Sequence, residues 1–496
     1  MPDNKTRKRL SCCLPLAALA TLVLLSSCTV GPDYVRPPAP VPVAYKELAG
    51  WKRAEPTLAA SGAPWWSVYQ DPVLDRLVRQ VDVNNQNLKA AEAAFRQARA
   101  LVAEARAGYF PTVTLDASGQ RSKLGSTSST SGLGSSRIRN SFDTSAGATW
   151  EADVWGRIRR TVESDVATAQ ASAADLASAR LSAQAQLAVA YFQLRVDDEI
   201  KRLLDATVVA FQRSLAITQN RYAVGVAARA DVAQAQAQVE TTRSQAVGIG
   251  VQRAQLEHAI AVLMGQPPAT FSIPPVEYSA DVPVVPPGVP SELLERRPDI
   301  AAAERLMAAA NAEIGVAEAA YFPAITLSAS YGFANAAIDN LLRAASSVWS
   351  LGAQASAPVF DGGLRGAAVE AARAAYDQRV AAYRQTVLTG FQQVEDNLST
   401  LRILEEQSKV QQGAVRAAQE AEQLTLNQYQ AGIIAYTSVV TAQATALAAR
   451  QNALSILQTR LATSVTLIES LGGGWTAAQL PGDDLMAGAP AQAARP

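Results

Sequence analysis

An internal repeat is the feature of this sequence that most limits how the chain can fold. Residues 109–115, with the sequence YFPTVTL, return as residues 321–327, with the sequence YFPAITL. Two shorter segments return in the same order: RYAVGV of residues 221–226 as QYQAGI of residues 428–433, and LMG of residues 263–265 as SLG of residues 470–472. Each copy follows its counterpart by about 210 residues, and three matches at one spacing indicate a duplicated structural unit. The chain should therefore fold into two pseudo-symmetric halves.

The N-terminus has the pattern of a bacterial lipoprotein signal. Four basic residues come first: Lys5, Arg7, Lys8 and Arg9. The apolar run that follows, residues 14–25, is shorter than the roughly 18–20 residues of a membrane-spanning helix but suits a secretory signal. Small residues then precede Cys28, so residues 1–27 should be removed and Cys28 should carry N-acyl and S-diacylglycerol groups, palmitate among them. Thr29, rather than an aspartate, follows this cysteine, which favours the outer membrane as its destination.

Composition and charge exclude several classes of protein. All three cysteines, Cys12, Cys13 and Cys28, lie in this N-terminal segment, so the mature chain cannot form an internal disulfide. The formal net charge is +0, which offers no electrostatic footprint for nucleic acid. Hydrophobic residues make up 49% of the chain but aromatic residues only 6%, so alanine dominates the apolar content.

Proline-rich segments divide the rest of the chain. Residues 28–64 should form an extended, lipid-anchored tether, and a second proline-rich segment, residues 267–297, should link the halves. The first repeat then covers residues 65–266 and the second covers residues 298–472. Residues 473–496 are rich in Gly, Ala and Pro, which is typical of a flexible tail.

Each half contains two stretches in which polar and apolar residues alternate, as they do in a β-hairpin. The predicted hairpins cover residues 111–152 and 323–359, each after a helix, with residues 122–139 as a Ser- and Gly-rich exposed loop. Strands of about ten residues with aromatic residues near their ends are typical of transmembrane β-strands. Half-buried hairpins of a soluble domain are the alternative on periodicity alone.

A very long helix is predicted after each hairpin. Residues 157–223 and 364–430 contain no proline, and about 60 helical residues form a rod of roughly 90 Å. Apolar residues at alternating spacings of four and three, such as Val387, Phe391 and Val394, predict that these helices pack side by side. Their other faces are polar, so the helices should be staves of a wall with water on at least one side.

Shorter helices are predicted to return from the ends of the rods. Each rod ends at a repeated glycine, Gly225 or Gly432, which suits the left-handed conformation that terminates a helix. The returning helices should cover residues 229–264 and 437–471. Asp231 and Ser438 are predicted to be their N-caps.

Four strands of membrane length cannot close a barrel by themselves. An open sheet edge is not viable in lipid, and the smallest closed barrels have about eight strands. Two copies would give a barrel without a lumen, whereas three copies give twelve strands and a matching ring of twelve staves. The match between the two layers favours a trimer, although strand counting does not exclude four copies.

Four motifs carry a resemblance to a known family. They are VGPDY of residues 30–34, the two YFP strand openings, LERRPDI of residues 294–300, and the turns of residues 221–226 and 428–433. Together they resemble the TolC/OprM family of outer-membrane factors, and more narrowly its NodT-type lipoprotein branch. The resemblance implies an α+β membrane protein, a homotrimer whose 12-stranded transmembrane β-barrel, with four strands per chain, continues into a long α-helical periplasmic barrel. It also implies that the protein is the exit duct of a tripartite efflux pump, with a periplasmic adaptor and an inner-membrane RND transporter as its partners. Such a pump exports drugs and small amphiphiles and confers multidrug resistance.

The same resemblance assigns roles to the two helix turns. The resemblance implies that the turns are the tips that contract the tunnel and bind the adaptor. The eight residues it assigns to these tips are Arg221, Tyr222, Gly225, Val226, Asp231, Tyr429, Gly432 and Ile433. Some relatives carry an acidic residue shortly after the second glycine, where this chain has Ile434 and Ala435. The periplasmic gate is therefore expected to close on apolar contacts, and block by multivalent cations should be weak.

No catalytic constellation, metal site or cofactor motif is present in the sequence. The only histidine, His258, falls in a helical stretch and reads as a packing or surface residue. The prediction is transport without a cofactor, not enzymatic activity. Two alternatives stay open: the outer-membrane duct of a type I protein-secretion or heavy-metal efflux system, and, from another class, a non-conducting coiled-coil lipoprotein scaffold.

Overall fold

The structure is a computed structural model that describes residues 29–39, 41–47, 64–124, 137–278, 281–283 and 290–482. The predicted signal peptide, Cys28, most of residues 48–64 and the end of the predicted tail lie outside these residues. Among the helices that are described, none combines the length and the hydropathy needed to cross a bilayer.

The two halves fold into the same succession of elements. The first contains α1 (Pro72–Asn84), α2 (Gln86–Ala107), β1 (Thr112–Leu124), β2 (Arg137–Ala152), α3 (Arg157–Ala223) and α4 (Arg229–Leu263). The second contains α5 (Leu293–Arg296), α6 (Pro298–Ala319), β3 (Ala324–Asn335), β4 (Ser347–Ser356), α7 (Leu364–Gln430) and α8 (Tyr436–Ser470). Helices α3 and α7 have 67 residues each, and α4 and α8 have 35 each, so the repeat extends to the lengths of the elements.

The helices pack side by side in four columns, which we call staves. Helices α2 and α4 both pack along α3, while α6 and α8 both pack between α3 and α7. The order across the layer is therefore α2 with α4, then α3, then α6 with α8, then α7. Each long helix is paired with two shorter helices that together cover most of its length.

Glycines make the end-to-end junctions within two of the staves possible. Gly265, with φ 67°, follows α4, and a Cβ atom there would lie 2.2 Å from the carbonyl oxygen of Asn84. Gly472, with φ 91°, follows α8, and its Cβ atom would lie 2.0 Å from the carbonyl oxygen of Arg296. Both positions require a left-handed backbone and leave no space for a side chain, so only glycine fits.

The main hydrophobic core lies at the level of these junctions. It combines residues of α1, α3, α7 and α8, among them Leu74, Val78, Leu187, Phe192, Val387, Val394, Leu461 and Val465. The predicted seam of α7 is buried at all five positions: Val387, Phe391, Val394, Leu398 and Leu401. Between Leu401 and Tyr429, α7 has no fully buried residue in the single chain. The part of α7 that approaches α8 is therefore held less firmly than the part near the core.

The four strands form one antiparallel sheet in the order β1-β2-β3-β4. The register places Val113, Ala148, Ala329 and Leu351 in one row across the sheet, and Leu115, Ala146, Tyr331 and Trp349 in the next row on the same face. We call this the apolar face. The alternate residues form the polar face, where Thr114, Gly147, Ser330 and Ser350 share a row and the hydroxyl oxygens of the two serines are 2.8 Å apart.

Two local predictions differ from the structure. Residues 122–124 and 137–139, expected in a loop, belong to β1 and β2, because backbone pairing continues after the polar–apolar alternation ends. Asp231 and Ser438 are not the N-caps of the returning helices, which are Ala228 and Ala435. Asp231 stands three residues further on, and its carboxylate accepts a hydrogen bond of 3.2 Å from the backbone N–H of Ala228. The helix starts, predicted at residues 229 and 437, are Arg229 and Tyr436 in the structure, so only the N-cap assignment is wrong.

The segment predicted as a flexible tail is ordered in its first part. The backbone N–H of Trp475 donates to the carbonyl of Gly472 at 2.9 Å, and its ring packs against Ala174, Ala301 and Ala302. Residues 473–482 therefore lie across α3 and α6, because a large aromatic side chain gains from covering a small-residue surface. In the predicted linker, residues 293–296 likewise form the helix α5.

A buried carboxylate in α3 makes the stability of the fold depend on pH. Asp197 is 2% exposed, and its Oδ2 atom has no hydrogen-bond partner among the described residues. Burial, with the neighbouring charge of Asp198, raises the pKa of Asp197 to about 6. The unfolded chain loses this proton near pH 4, so the folded state should lose stability as pH rises from about 4 to about 6.

Replacing Asp197 with Asn should therefore raise the melting temperature at pH 8 by several degrees and change it little at pH 4. Thermal unfolding of the detergent-solubilised protein at both pH values measures this. Asp198→Asn is the control. Asp198 accepts a hydrogen bond of 2.6 Å from Arg253, so its replacement should lower the melting temperature at pH 8. An Asp197→Asn effect of equal size at pH 4 and pH 8 would contradict the prediction.

Candidate functional site

The turn between α3 and α4 is closed mainly by backbone hydrogen bonds. The N–H of Val226 donates to the carbonyl of Arg221, and the N–H of Gly225 donates to the carbonyl of Tyr222, both at 2.9 Å. With Gly225 at φ 78°, this is a Schellman motif, which satisfies carbonyls that the helix end leaves free. The motif leaves Tyr222, Val224 and Val226 exposed to solvent.

The turn between α7 and α8 has the same backbone geometry. The N–H of Ile433 donates to the carbonyl of Gln428, and the N–H of Gly432 donates to the carbonyl of Tyr429, again at 2.9 Å. Gly432 has φ 79°. Ile433 is exposed, as its counterpart Val226 is. The repeat therefore produces two equal turns that both present an apolar side chain to solvent.

The two turns differ in how they use their tyrosines. Tyr222 is 44% exposed, whereas its counterpart Tyr429 is 3% exposed. The ring of Tyr429 packs against that of Tyr436, with centroids 5.1 Å apart, and its hydroxyl donates to the Thr218 hydroxyl at 3.4 Å. Tyr429 thus fixes the second turn to α3, and Tyr222 is left free for contacts outside the chain.

Arg221 connects the two turns. Its Nη1 atom donates to the carbonyl of Gln430 at 2.9 Å, and its guanidinium carbon lies 4.8 Å from the centre of the Tyr429 ring. A Cβ atom on Gly432 would lie 3.6 Å from its Nη2 atom. The structure therefore brings together three of the predicted tip residues. Asp231 does not join them, because its carboxylate binds its own helix.

An apolar cluster lies directly beneath the second turn. It contains Ala235, Tyr429, Tyr436 and Val439, and Ile434 packs against it. Ile434, predicted as a gate residue, is half-buried within its own chain, whereas Ala435, the N-cap of α8, is exposed. The sequence patterns did not single out Tyr436 or Thr218. The only signal for Tyr436 was an aromatic residue at the start of a helix, and there was none for Thr218.

The N-terminal segment, described at residues 29–39 and 41–47, crosses the helical layer. Val30 donates its N–H to the carbonyl of Trp155 at 3.1 Å. Arg160 donates to the carbonyl oxygens of Val30 and Gly31 and to the carboxylate of Asp33. The side chain of Thr29 lies against Gly156, at the junction of β2 and α3.

The same segment is then held by α6 and α7. The Tyr34 hydroxyl donates to Glu304 at 2.6 Å, and Arg36 donates to the Tyr383 hydroxyl at 3.0 Å. At its far end, Arg402 donates to Glu47 at 2.6 Å. The VGPDY motif therefore contacts α3 and α6, and the residues that follow it contact α7.

A buried arginine explains the LERRPDI motif. Arg297 is 7% exposed, and its Nη1 atom donates to the carbonyl of Ser470, the last residue of α8, at 3.0 Å. Its Nε and Nη2 atoms donate to the two carboxylate oxygens of Asp299 at 3.0 and 2.6 Å. Asn85 occupies the equivalent junction in the first repeat and donates to the carbonyl of Leu263 at 2.7 Å.

The described residues contain no group of three or more His, Cys, Asp or Glu side chains that could hold a metal ion. His258 lies exposed on α4. The arrangement of long staves, a sheet with one apolar face and paired tips is that of a channel protein of the outer membrane.

Comparison with known proteins agrees with this class. The family model of the outer membrane efflux protein matches residues 77–266 and 289–473, so the chain belongs to that family. The toluene efflux pump outer membrane protein TtgC of Pseudomonas putida is 32% identical over 463 residues, which cover 93% of this chain and 95% of the relative. The pyoverdine export outer membrane protein OpmQ of Pseudomonas aeruginosa is 32% identical over 465 residues, covering 92% and 98%.

Solved structures show the same fold. The outer-membrane channel OprN has a TM-score of 0.85 at 31% identity and covers 90% of this chain and 100% of its own. The resemblance to outer-membrane factors that the sequence motifs indicated is therefore confirmed, and with it a role in efflux at the outer membrane.

Proposed function

We propose that three copies of this chain form a continuous duct across the periplasm and the outer membrane, the exit of a tripartite RND-type pump for drugs and small amphiphiles. The observation that carries the proposal is the four-stranded sheet, which has one apolar and one polar face and two unpaired edges, β1 and β4. Within lipid such edges require partners, because no water is available to satisfy the free N–H and C=O groups.

A closed ring of three sheets would supply those partners. The β1 edge of one copy would pair with the β4 edge of the next, giving twelve strands with an apolar exterior and a polar lumen. Aromatic residues lie where membrane interfaces would fall. On the helical side they include Phe110, Trp150 and Phe322, and toward the hairpin tips they include Phe142, Tyr331, Phe333 and Trp349.

The helical layer has matching free edges. On α7, the outermost stave, Ile403, Val410 and Leu424 are exposed at intervals of multiples of seven residues, the spacing of a coiled-coil seam. On α4, at the opposite edge, Val247 and Val251 are exposed. In a ring of three copies each α7 edge meets the α2–α4 edge of the next copy, which buries both sets.

The paired turns are proposed as the adaptor-binding tips and the gate. Two similar turns per chain give six per trimer, a pseudo-six-fold arrangement that suits an adaptor ring of the same count. Tyr222, Val226 and Ile433 are exposed there and available to a partner. Closure would use apolar contacts near Ile434 and Ala435, held in place by the bond from Arg221 to Gln430.

The lipid on Cys28 is proposed as a second membrane attachment beside the barrel. The residues after it are bound to the base of the sheet, which would place acyl chains at the inner leaflet. Cys28→Ala should therefore leave most of the protein membrane-inserted and resistant to alkaline extraction. Complete release into the soluble fraction would show that the sheet does not span the membrane.

Two other functions remain candidates. Relatives named for toluene and pyoverdine export favour small organic substrates, but a type I protein-secretion or metal-efflux system would use a similar duct. A non-conducting scaffold would need neither a lumen nor a fixed copy number. The native mass of the detergent-solubilised protein separates a duct of any kind from the scaffold, since the duct requires three copies and a monomer would refute it.

A further inference from the structure

The apolar face of the sheet changes in chemical character toward the hairpin tips. Along β3 it presents Leu327, Ala329, Tyr331 and Phe333 in turn. Phe142, which is paired with Asn335 and Gly119, continues this face on β2. Beyond Phe142 the register places Arg121 opposite Asn140, and Lys123 opposite Ile138, still on the same face. Successive rows on one face are about 6–7 Å apart along the strand, so both basic residues lie within two rows of the aromatic band.

The acidic residues of the described strands all lie on the polar face. The alternation of the strands places Asp116, Arg139, Asp143 and Glu151 on the polar face. Among the strand residues whose side chains the structure describes, Arg121 and Lys123 are the charged residues on the apolar face. Both are exposed, and neither makes a hydrogen bond or an ion pair with another described residue.

The position of these two residues determines which lipid they would meet. Helices α3 and α7 leave the sheet at the end opposite to the hairpin tips. If the helices lie in the periplasm, as the proposed duct requires, Arg121 and Lys123 lie at the external surface of the outer membrane. The lipid of that surface is a glycolipid that carries phosphate groups on its sugar head.

We propose that Arg121 and Lys123 of each copy bind the phosphate groups of this outer-leaflet glycolipid. A guanidinium group can donate two parallel hydrogen bonds to one phosphate, and the lysine adds a mobile positive charge beside it. Within the described strands, no carboxylate on the same face competes for them. The inference rests on the proposed membrane duct, and it adds a specific lipid partner that the export function alone does not require.

Reconstitution into nanodiscs of phosphatidylcholine with a small fraction of lipid A tests the site. The lipid A recovered with the purified protein is measured for wild type and for the double variant Arg121→Ala/Lys123→Ala. Wild type should enrich lipid A over the bulk ratio about thirtyfold, since two basic residues near an anionic surface contribute about 1 kcal/mol each. The double variant should lose this enrichment, and dephosphorylated lipid A should not be enriched by wild type.

Arg139→Ala is the matched control, because Arg139 lies at the same height on the polar face, opposite Ser122. It should retain the wild-type enrichment. Equal enrichment by the double variant, or equal enrichment of phosphatidylglycerol by wild type, would overturn the inference and leave the duct intact. Failure of wild type to insert as a trimer would instead refute the proposed function.

Discussion

Replacing Arg297 with methionine should strongly reduce the amount of folded, trimeric protein and lower its melting temperature. Arg297 joins the end of α8 to the start of α6 through Ser470 and Asp299. It also lies in contact with α7, where a Cβ atom on Gly390 would be 3.4 Å from its Nε atom. Methionine has a similar length but leaves the Ser470 carbonyl and the Asp299 carboxylate without their donor, a loss of about 2–4 kcal/mol.

Arg296→Met is the matched control for this prediction. Arg296 is the preceding residue, and its side chain pairs with Glu292 at 2.9 Å on the more exposed side of the junction. A partly exposed pair of this kind contributes about 0–1 kcal/mol. Thermal unfolding and the heat-resistant trimer band on a gel compare the two variants. Equal behaviour of the two would show that the buried junction does not hold the repeats together.

Replacing Tyr429 with alanine should release the second turn and raise the open probability of the channel. The substitution removes a buried aromatic ring, which costs about 3–5 kcal/mol where the cavity cannot collapse. It also removes the hydroxyl bonded to Thr218 and the ring beneath Arg221. Because the apolar cluster is local, the effect should appear at the tips and not in the fold as a whole. Single-channel recording in planar bilayers measures it.

Tyr222→Ala provides the control from within the repeat. Tyr222 occupies the same position in the first turn but is exposed, so its removal should leave the open probability close to that of wild type. In the same recordings, multivalent cations added at the periplasmic mouth should block weakly, since no acidic ring follows Gly432. Equal opening by both variants, or strong cation block, would count against a gate that rests on apolar contacts.

The periodic parts of the fold could be predicted from the sequence. Long proline-free helices, alternating strands and the glycine turns each follow from a pattern of local residues, and the α7 seam is buried as its spacing indicated. The N-caps of the returning helices could not be predicted, since they are Ala228 and Ala435, whose side chains carry no capping group. Trp475 was assigned to a flexible tail because its partners, Ala174, Ala301 and Ala302, are distant in sequence.

The candidate site shows where a repeated motif stops being informative. Tyr222 and Tyr429 stand in matching sequences, yet one is exposed and the other is buried beneath Arg221. The difference arises from packing between α3 and α8, which a single-sequence pattern does not contain. The same holds for Arg297 and Asn85, two unlike residues that occupy equivalent junctions and donate to equivalent helix ends.

Single-channel conductance of the purified wild-type protein tests the central claim most directly. If three copies close a barrel with a polar lumen, they should produce discrete, long-lived current steps in a planar bilayer. The protein concentration is kept low enough that channels insert one at a time. Tyr429→Ala should give the same unitary step with a higher open probability. A pure, folded trimer that inserts into the bilayer but conducts no ions in either form would contradict the duct and favour a non-conducting scaffold.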